Sequence, residues 1–549
     1  MHKKACIYAL FSCAFAHYST ATTNVRHFII NTLKVWHTFC TYIFRVLLFS
    51  SGKAPDFLKK YNMRLKSIIA LIMVPMMAFA QTDTLKITLA EAIATAQRES
   101  SDARAAHHTL LAAEWSYKFF KANYLPSLSL SSSPSLNRVI SKITQPDGTS
   151  SFVEQNQLST NATLGFTQNI ALTGGEFFLQ SSLQRQDELG NRSTAYNSQP
   201  LTFGYRQTLF GYNSLKWERR MEPLRYEEAK KSHEESMELI ASRASSLFFS
   251  LASAQTELYI AEQNYASADT LNRYARGRYD IGTITESEKL QLELNKCTAE
   301  ASLLYARNSL ENAMQSLRSY LAINRNIAIE AESSTDVPRC KANPEEALRL
   351  AHEHNPDLVS YEIMRQESKS SLASAKANSG LKAELYMQFG LSQTAETLRD
   401  SYRSPQNQQY ASVGVSLPIL DWGRGKGRIK VAESRLDLVE TQIEQAYRDF
   451  DINIEQMVRQ FNLQAQHVEV AEKRARLAQQ RYNVARQLYI LGKSTILDFN
   501  SATTEKDSAH RSLLSAVQTF WSLYYGLRSM TGGKIFENYE QTKNNTHGH

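Results

Sequence analysis

The sequence predicts a mainly α-helical protein with a β-barrel portion. It is built as two tandem helix-strand-strand-helix-helix repeats whose long helices fold back into antiparallel coiled-coil hairpins. Three observations predict this. The second half of the chain repeats the first, each half carries an apolar stripe at alternating spacings of four and three, and short period-two segments separate the helical stretches.

The repeat is read from two offsets. Tyr279 and Gly282 fall on Tyr489 and Gly492 at a shift of 210, and the segment Thr208 to Tyr212 falls on Pro418 to Trp422 at the same shift. Further upstream the shift is 255, which lays Glu91 on Glu346 and Asn123 on Asn378. The first repeat therefore holds 45 extra residues, with Thr173, Gly174 and Gly175 as a turn inside them. An added hairpin is expected at about 137–198. The repeats run from 81 to 335 and from 336 to 532, and 533–549 reads as a disordered polar tail.

Before the first repeat, Arg64 and Lys66 precede an apolar run from Ile68 to Phe79 and a small-x-small site at Ala78 to Ala80. This is the pattern of a signal peptide over 63–80, so the chain is expected to be exported. Residues 1–62 then read as a mis-assigned upstream extension. Removing the first 80 residues takes away ten of the 62 bases and one of the 54 acids, leaving 52 against 53. The formal charge of +8 thus belongs to the leader, and nucleic acid loses its main attraction. Cys6, Cys13 and Cys40 go with it. Cys297 and Cys340 remain, too few for a disulfide framework.

The opening segment Leu89 to Lys121 is rich in Ala, Glu and Lys and has no Gly or Pro, so it reads as helix until Pro126. Alternation at Leu128 and Leu130, Leu164 and Phe166, Phe203 and Tyr205, and Val413, Val415 and Leu417 marks strands. The long helices follow. The stripe Ile443, Tyr447, Phe450, Ile454, Met457, Phe461 continues to Tyr489, broken only by Gln464, and its counterpart runs from His233 to Tyr279. Each helix of some 69 residues would span roughly 100 Å. Gly282 and Gly492 suit the left-handed position that ends a helix, and Thr285 with Glu288 and Thr495 with Asp498 suit the start of the next. No apolar run of 18 or more follows residue 80, so any membrane passage requires a closed barrel assembled from several copies.

These motifs, in this order and in duplicate, resemble the TolC family of outer membrane efflux proteins over nearly the whole exported chain. They are the paired Tyr-x-x-Gly at Tyr279 and Tyr489, Tyr124-Leu125-Pro126, Asn355-Pro356-Asp357, and Leu417 to Arg424 with Asp421, Trp422 and Gly423 at the strand-helix junction. The resemblance implies a homotrimer with an outer-membrane β-barrel and a periplasmic α-barrel. It also implies partners: a periplasmic adaptor (membrane fusion) protein, an inner-membrane RND or ABC pump, and outer-membrane lipid. It implies passive exit of small molecules driven by the pump. The family's selectivity carboxylate falls on Asp498, with Glu288 equivalent in the first repeat, and Tyr489 falls on a tyrosine that latches the closed tip to the carboxylate at Glu288. Two positions depart from the pattern: Ser494 stands where the latch has arginine, and Ser501 replaces a second ring carboxylate. The extra hairpin departs from two strands per repeat, so the family's twelve-stranded barrel is expected to be enlarged or elaborated.

Plainer readings stand beside these. Asp498 and Glu288 also suit a helix start, and Tyr279 and Tyr489 also continue the stripe. Gly423 to Arg428 lacks the spacing of a phosphate loop and reads as a joint with basic anchors, with Trp217 and Trp422 in an interfacial belt. His352 with His354 and His547 with His549 bring no third metal ligand, and no catalytic constellation stands out, so neither an enzyme nor a cofactor is expected. Two alternatives remain: a channel for type I protein secretion, and an exported coiled-coil scaffold without a pore.

Overall fold

The computed structural model describes residues 84–536 apart from 191, 324–326 and 333–336. The expected extension, the expected signal peptide and residues 537–549 lie outside them. The first repeat begins with β1 (Thr84–Ile87), α1 (Leu89–Glu99) and α2 (Ser101–Ala122). The uninterrupted opening helix expected from composition is thus two helices. Ser100 is the extended residue that ends α1, and its hydroxyl accepts from the Ala103 N–H to start α2. The second repeat breaks at the equivalent place, 255 residues on. There Asn355 caps α6 (Pro356–Ala377) by accepting from the Asp357 N–H after α5 (Pro344–His354).

Four strands follow in the first repeat: β2 (Ser127–Thr144), β3 (Ser150–Ile170), β4 (Gly175–Glu188) and β5 (Ser193–Leu209). The second repeat has only β7 (Lys382–Ala395) and β8 (Gln406–Ser416). All six form one antiparallel sheet in the order β2-β3-β4-β5-β7-β8, so β3 and β4 are the surplus hairpin. Its turn is stitched to the helical side, where Asn213 and Gln207 side-chain amides donate to the carbonyls of Ala171 and Thr173. A further short ladder, not anticipated from sequence, pairs β1 in parallel with β6 (Ala328–Ala331).

The long helices are α3 (Ser214–Asp280) and α7 (Arg424–Ile490), each 67 residues, and their returns are α4 (Glu286–Tyr320) and α8 (Ile496–Met530), each 35. All four boundaries correspond at the shift of 210. The stripe is the core: Ile240, Leu251, Ile454 and Phe461 are almost wholly buried, together with Val517 and Phe520 of α8. Gln464, the polar break in the stripe, is satisfied by donating to the Ala516 carbonyl at 2.8 Å. Towards the sheet the helices pack in the order α2-α3-α6-α7, and towards the turns in the order α4-α3-α8-α7. The expected tail begins later than 533. Phe536 is 2% exposed and stacks on Tyr524 at 4.6 Å, because an aromatic ring at that position completes the cluster around Phe461.

Candidate functional site

The two hairpin turns have one backbone design. Gly282 (φ +76°) and Gly492 (φ +70°) are left-handed. Their N–H groups donate to Tyr279 and Tyr489, and the next residues, Thr283 and Lys493, donate to Arg278 and Leu488. This double bond is the Schellman closure that a glycine permits. The side chains differ. At the first turn Thr285 and Glu288 form a reciprocal capping box. At the second, the Asp498 carboxylate accepts from the hydroxyls of Thr495 at 2.8 Å and Ser494 at 3.3 Å. These bonds, Thr495 first, hold its carboxyl below the usual carboxylate range.

Tyr279 is exposed, with the Lys289 ammonium 4.5 Å from its ring. Tyr489 is half-buried and stacks on Phe499 at 5.6 Å. Burial raises the pKa of Tyr489, while Arg278 of the first turn lowers it and Glu288 raises it. Among the described residues, no hydrogen bond joins Tyr489 to Glu288 within one chain. Arg278 was missed by sequence reasoning. It reaches across from α3 to Gly492, where its guanidinium would lie 3.9 Å from an added Cβ.

Above the turns, charged ties hold α3 to α8. Arg528 grips Glu238 at 2.8 and 2.9 Å, Arg511 grips Glu257 at 2.7 and 2.8 Å, and Asn264 donates to Asp507 at 2.6 Å. Asp507 and its neighbour Lys506 are both buried, with Lys506 against the Tyr482 ring. Nearer the turns the hairpins share only the 3.4 Å contact of Asn295 with Asn500 among such side-chain bonds between described residues. The pair is therefore braced at its root and more lightly held at its tip.

At the junction, Asp421 accepts from the N–H groups of Gly425 at 2.7 Å and Gly423 at 3.0 Å, which depress its pKa in that order. Trp422 and Gly423 are both left-handed, and this turns the chain from strand to α7, which starts at Arg424. Trp422 is left 89% exposed, with Ile419 and Leu420 beside it. An exposed Trp flanked by aliphatic side chains suits a membrane interface.

The sheet has two unlike faces. One carries Leu128, Leu164, Phe177, Phe203, Phe389 and Val413, one from each strand, all exposed and on the same face by the ladder pairings. The other carries Ser133, Ser159, Asn161, Ser182, Gln184 and Asn197, which line a concavity of about 370 Å³. Nearer the helices the same polar face holds Phe178, 3% exposed, stacked on Tyr386 at 5.8 Å. Gly204 makes room for it, since a Cβ there would come within 2.0 Å of the ring. Among the described residues no three His, Cys, Asp or Glu side chains converge as a metal site, and no helix is long and apolar enough to cross a membrane.

Residues 347–533 match the outer membrane efflux protein family. The match takes in about a third of the chain, most of the second repeat. Outer membrane protein TolC of Escherichia coli (strain K12) is 22% identical over 266 residues, which cover 46% of this chain and 53% of TolC. The chain thus spans about half the length of this curated relative in the match. The fold extends further. The Campylobacter jejuni CmeC outer membrane channel superposes with a TM-score of 0.61 at 14% identity, covering 84% of this chain and 88% of CmeC. VceC, an outer membrane protein of Vibrio cholerae, gives 0.58 at 16%, covering 81% and 96%. The shared fold therefore extends beyond the second repeat into the first.

Proposed function

We propose that this protein is the outer-membrane exit duct of a tripartite efflux system. It works as a homotrimer whose sheets close into a barrel and whose hairpins reach into the periplasm towards an adaptor protein and an RND or ABC pump. The observation that carries this reading is the two-faced sheet. An exposed row of Leu, Phe and Val on one side and a Ser, Asn and Gln lining on the other suit lipid outside and water inside. Braced roots and lightly held turns suit a gate at the tips, where copies of Asp498 around an axis would favour cations. Arg278, facing Tyr489, serves in place of the arginine absent at Ser494. Reconstitution in planar bilayers tests the reading. The purified oligomer should conduct with a cation preference that Asp498→Ala reduces. Absence of any conductance would sink it.

A further inference from the structure

The polar face of the sheet carries a concavity with more structure than a water-filled duct requires. It holds about 370 Å³, within the roughly 300–1,000 Å³ of small-ligand sites. Such sites are mostly apolar, but this one is walled by four strands that contribute only Ser, Asn and Gln. We propose that it is a subsite for an uncharged saccharide, the chemical class that this barrel is lined to bind. This rests on the duct reading above and names a ligand for it.

Two features of the chain shape the concavity. On β2 the side chains of this face are four serines in succession, Ser129, Ser131, Ser133 and Ser135, so that wall is low. Strand β5 carries an extra residue, since Pro200 and Leu201 both oppose Ser181. The same irregularity shifts its pairing with β7 between Ser198 and Thr202. A bulge bends its strand, and here it sets Asn197 and Gln199 opposite the serine wall. Between these walls lie Ser159, Asn161, Ser182 and Gln184 of β3 and β4. The surplus hairpin therefore supplies half of the lining, and a sheet without it would have no such site.

The chemistry of the lining selects the ligand. The charges on this face are Glu176, Arg206, Lys382 and Glu384 at its helical end and Glu188 at the other. An ionic ligand finds no counter-charge between them. Hydroxyls and carboxamides each offer both donor and acceptor, as the hydroxyls of a sugar require. Gln184 donates to the Ser159 hydroxyl at 2.9 Å and Asn161 to the Thr163 hydroxyl at 3.2 Å, so two of the amides are held in place. The Asn197 Oδ1 is buried without a hydrogen-bond partner among the described residues. A buried acceptor left unpaired is costly, and a ligand hydroxyl would satisfy it. A peptide would fare worse, because the backbones of β3 and β4 are already paired on both sides.

Nearer the helices the same face offers Tyr410, 54% exposed and edge-on to Tyr386 at 5.8 Å. The electron-rich face of an open aromatic ring stacks against the C–H face of a pyranose. A sugar chain leaving the helical end thus meets a ring before it meets the amides.

Equilibrium dialysis of neutral hexasaccharides against the purified full-length oligomer in detergent provides the test. At least one of maltohexaose, cellohexaose and the N-acetylglucosamine hexamer should bind saturably. Polyethylene glycol of equal mass and anionic hexagalacturonate should bind at least about tenfold more weakly. Gln184→Ala combined with Asn197→Ala should weaken the sugar about tenfold, and Ser133→Ala with Ser135→Ala, a gentler change to the opposite wall, about threefold. Ser132→Ala, on the apolar face of β2, should leave binding unchanged. No binding of any hexasaccharide, equal binding of the polyether or the polyanion, or binding that either pair of substitutions leaves undiminished would overturn the proposal. Conductance in planar bilayers without sugar binding would leave the duct standing and remove the subsite. Sugar binding without conductance would do the reverse.

Discussion

The two hairpin turns share a backbone and differ in what their side chains do. Tyr279 and Tyr489 occupy equivalent places one turn before a left-handed glycine, yet the first lies on the surface and the second packs on Phe499. Glu288 closes a full capping box at one turn, while two hydroxyls hold Asp498 at the other. Duplication preserved the geometry that glycine and threonine impose. The side chains between were left free to diverge into a mainly structural turn and a packed, charged one.

The comparison can be broken experimentally, and the tyrosines give the largest contrast. Tyr489→Ala should lower the free energy of local opening at the second turn by about 2 kcal/mol, whereas Tyr279→Ala should cost less than about 0.5 kcal/mol. Hydrogen exchange of the turn amides reads both, and equal losses would deny the difference in packing. The glycines should behave alike: Gly282→Ala and Gly492→Ala each cost about 1 kcal/mol, because both need positive φ. Unequal losses would mean that the two backbones are not equivalent. Thr285→Ala should cost about 1 kcal/mol, and Glu288→Gln less, since an amide oxygen can still accept from the cap N–H.

The smallest effect is the pH dependence of Asp498. Its folded pKa lies below the ordinary 3.8, so its stabilising bonds are fully present above that value and fade as pH falls through the lower one. Turn protection should hold at pH 4 and decline below, and Asp498→Asn should flatten that decline.

Much of this was legible in the sequence for a physical reason. Heptad spacing from Ile443 to Tyr489 reports burial directly, and a glycine after Tyr-x-x reports a left-handed turn. Strand β4 was harder to see, because Gly175 to Glu188 alternates weakly and is mostly polar. The break at Ser100 was hidden by helix-favouring neighbours, and its signal was a lone capping hydroxyl. Arg278 was out of reach, since its approach to Tyr489 depends on how two hairpins lie beside one another and not on either alone. The site thus divides: the turns were readable, and what faces them across the helix pair was not.

The β1–β6 ladder has a consequence for how the chain is made. It joins Thr84–Ile87 to Ala328–Ala331, so the intervening first repeat is tied off as a closed loop of 240-odd residues. Closing a flexible loop of that length costs about 5 kcal/mol of chain entropy. Eight short residues cannot meet that cost unaided. The ladder must therefore form late, after α3 and α4 have drawn the two ends together. Its completion therefore depends on the long helices of the first repeat being in place.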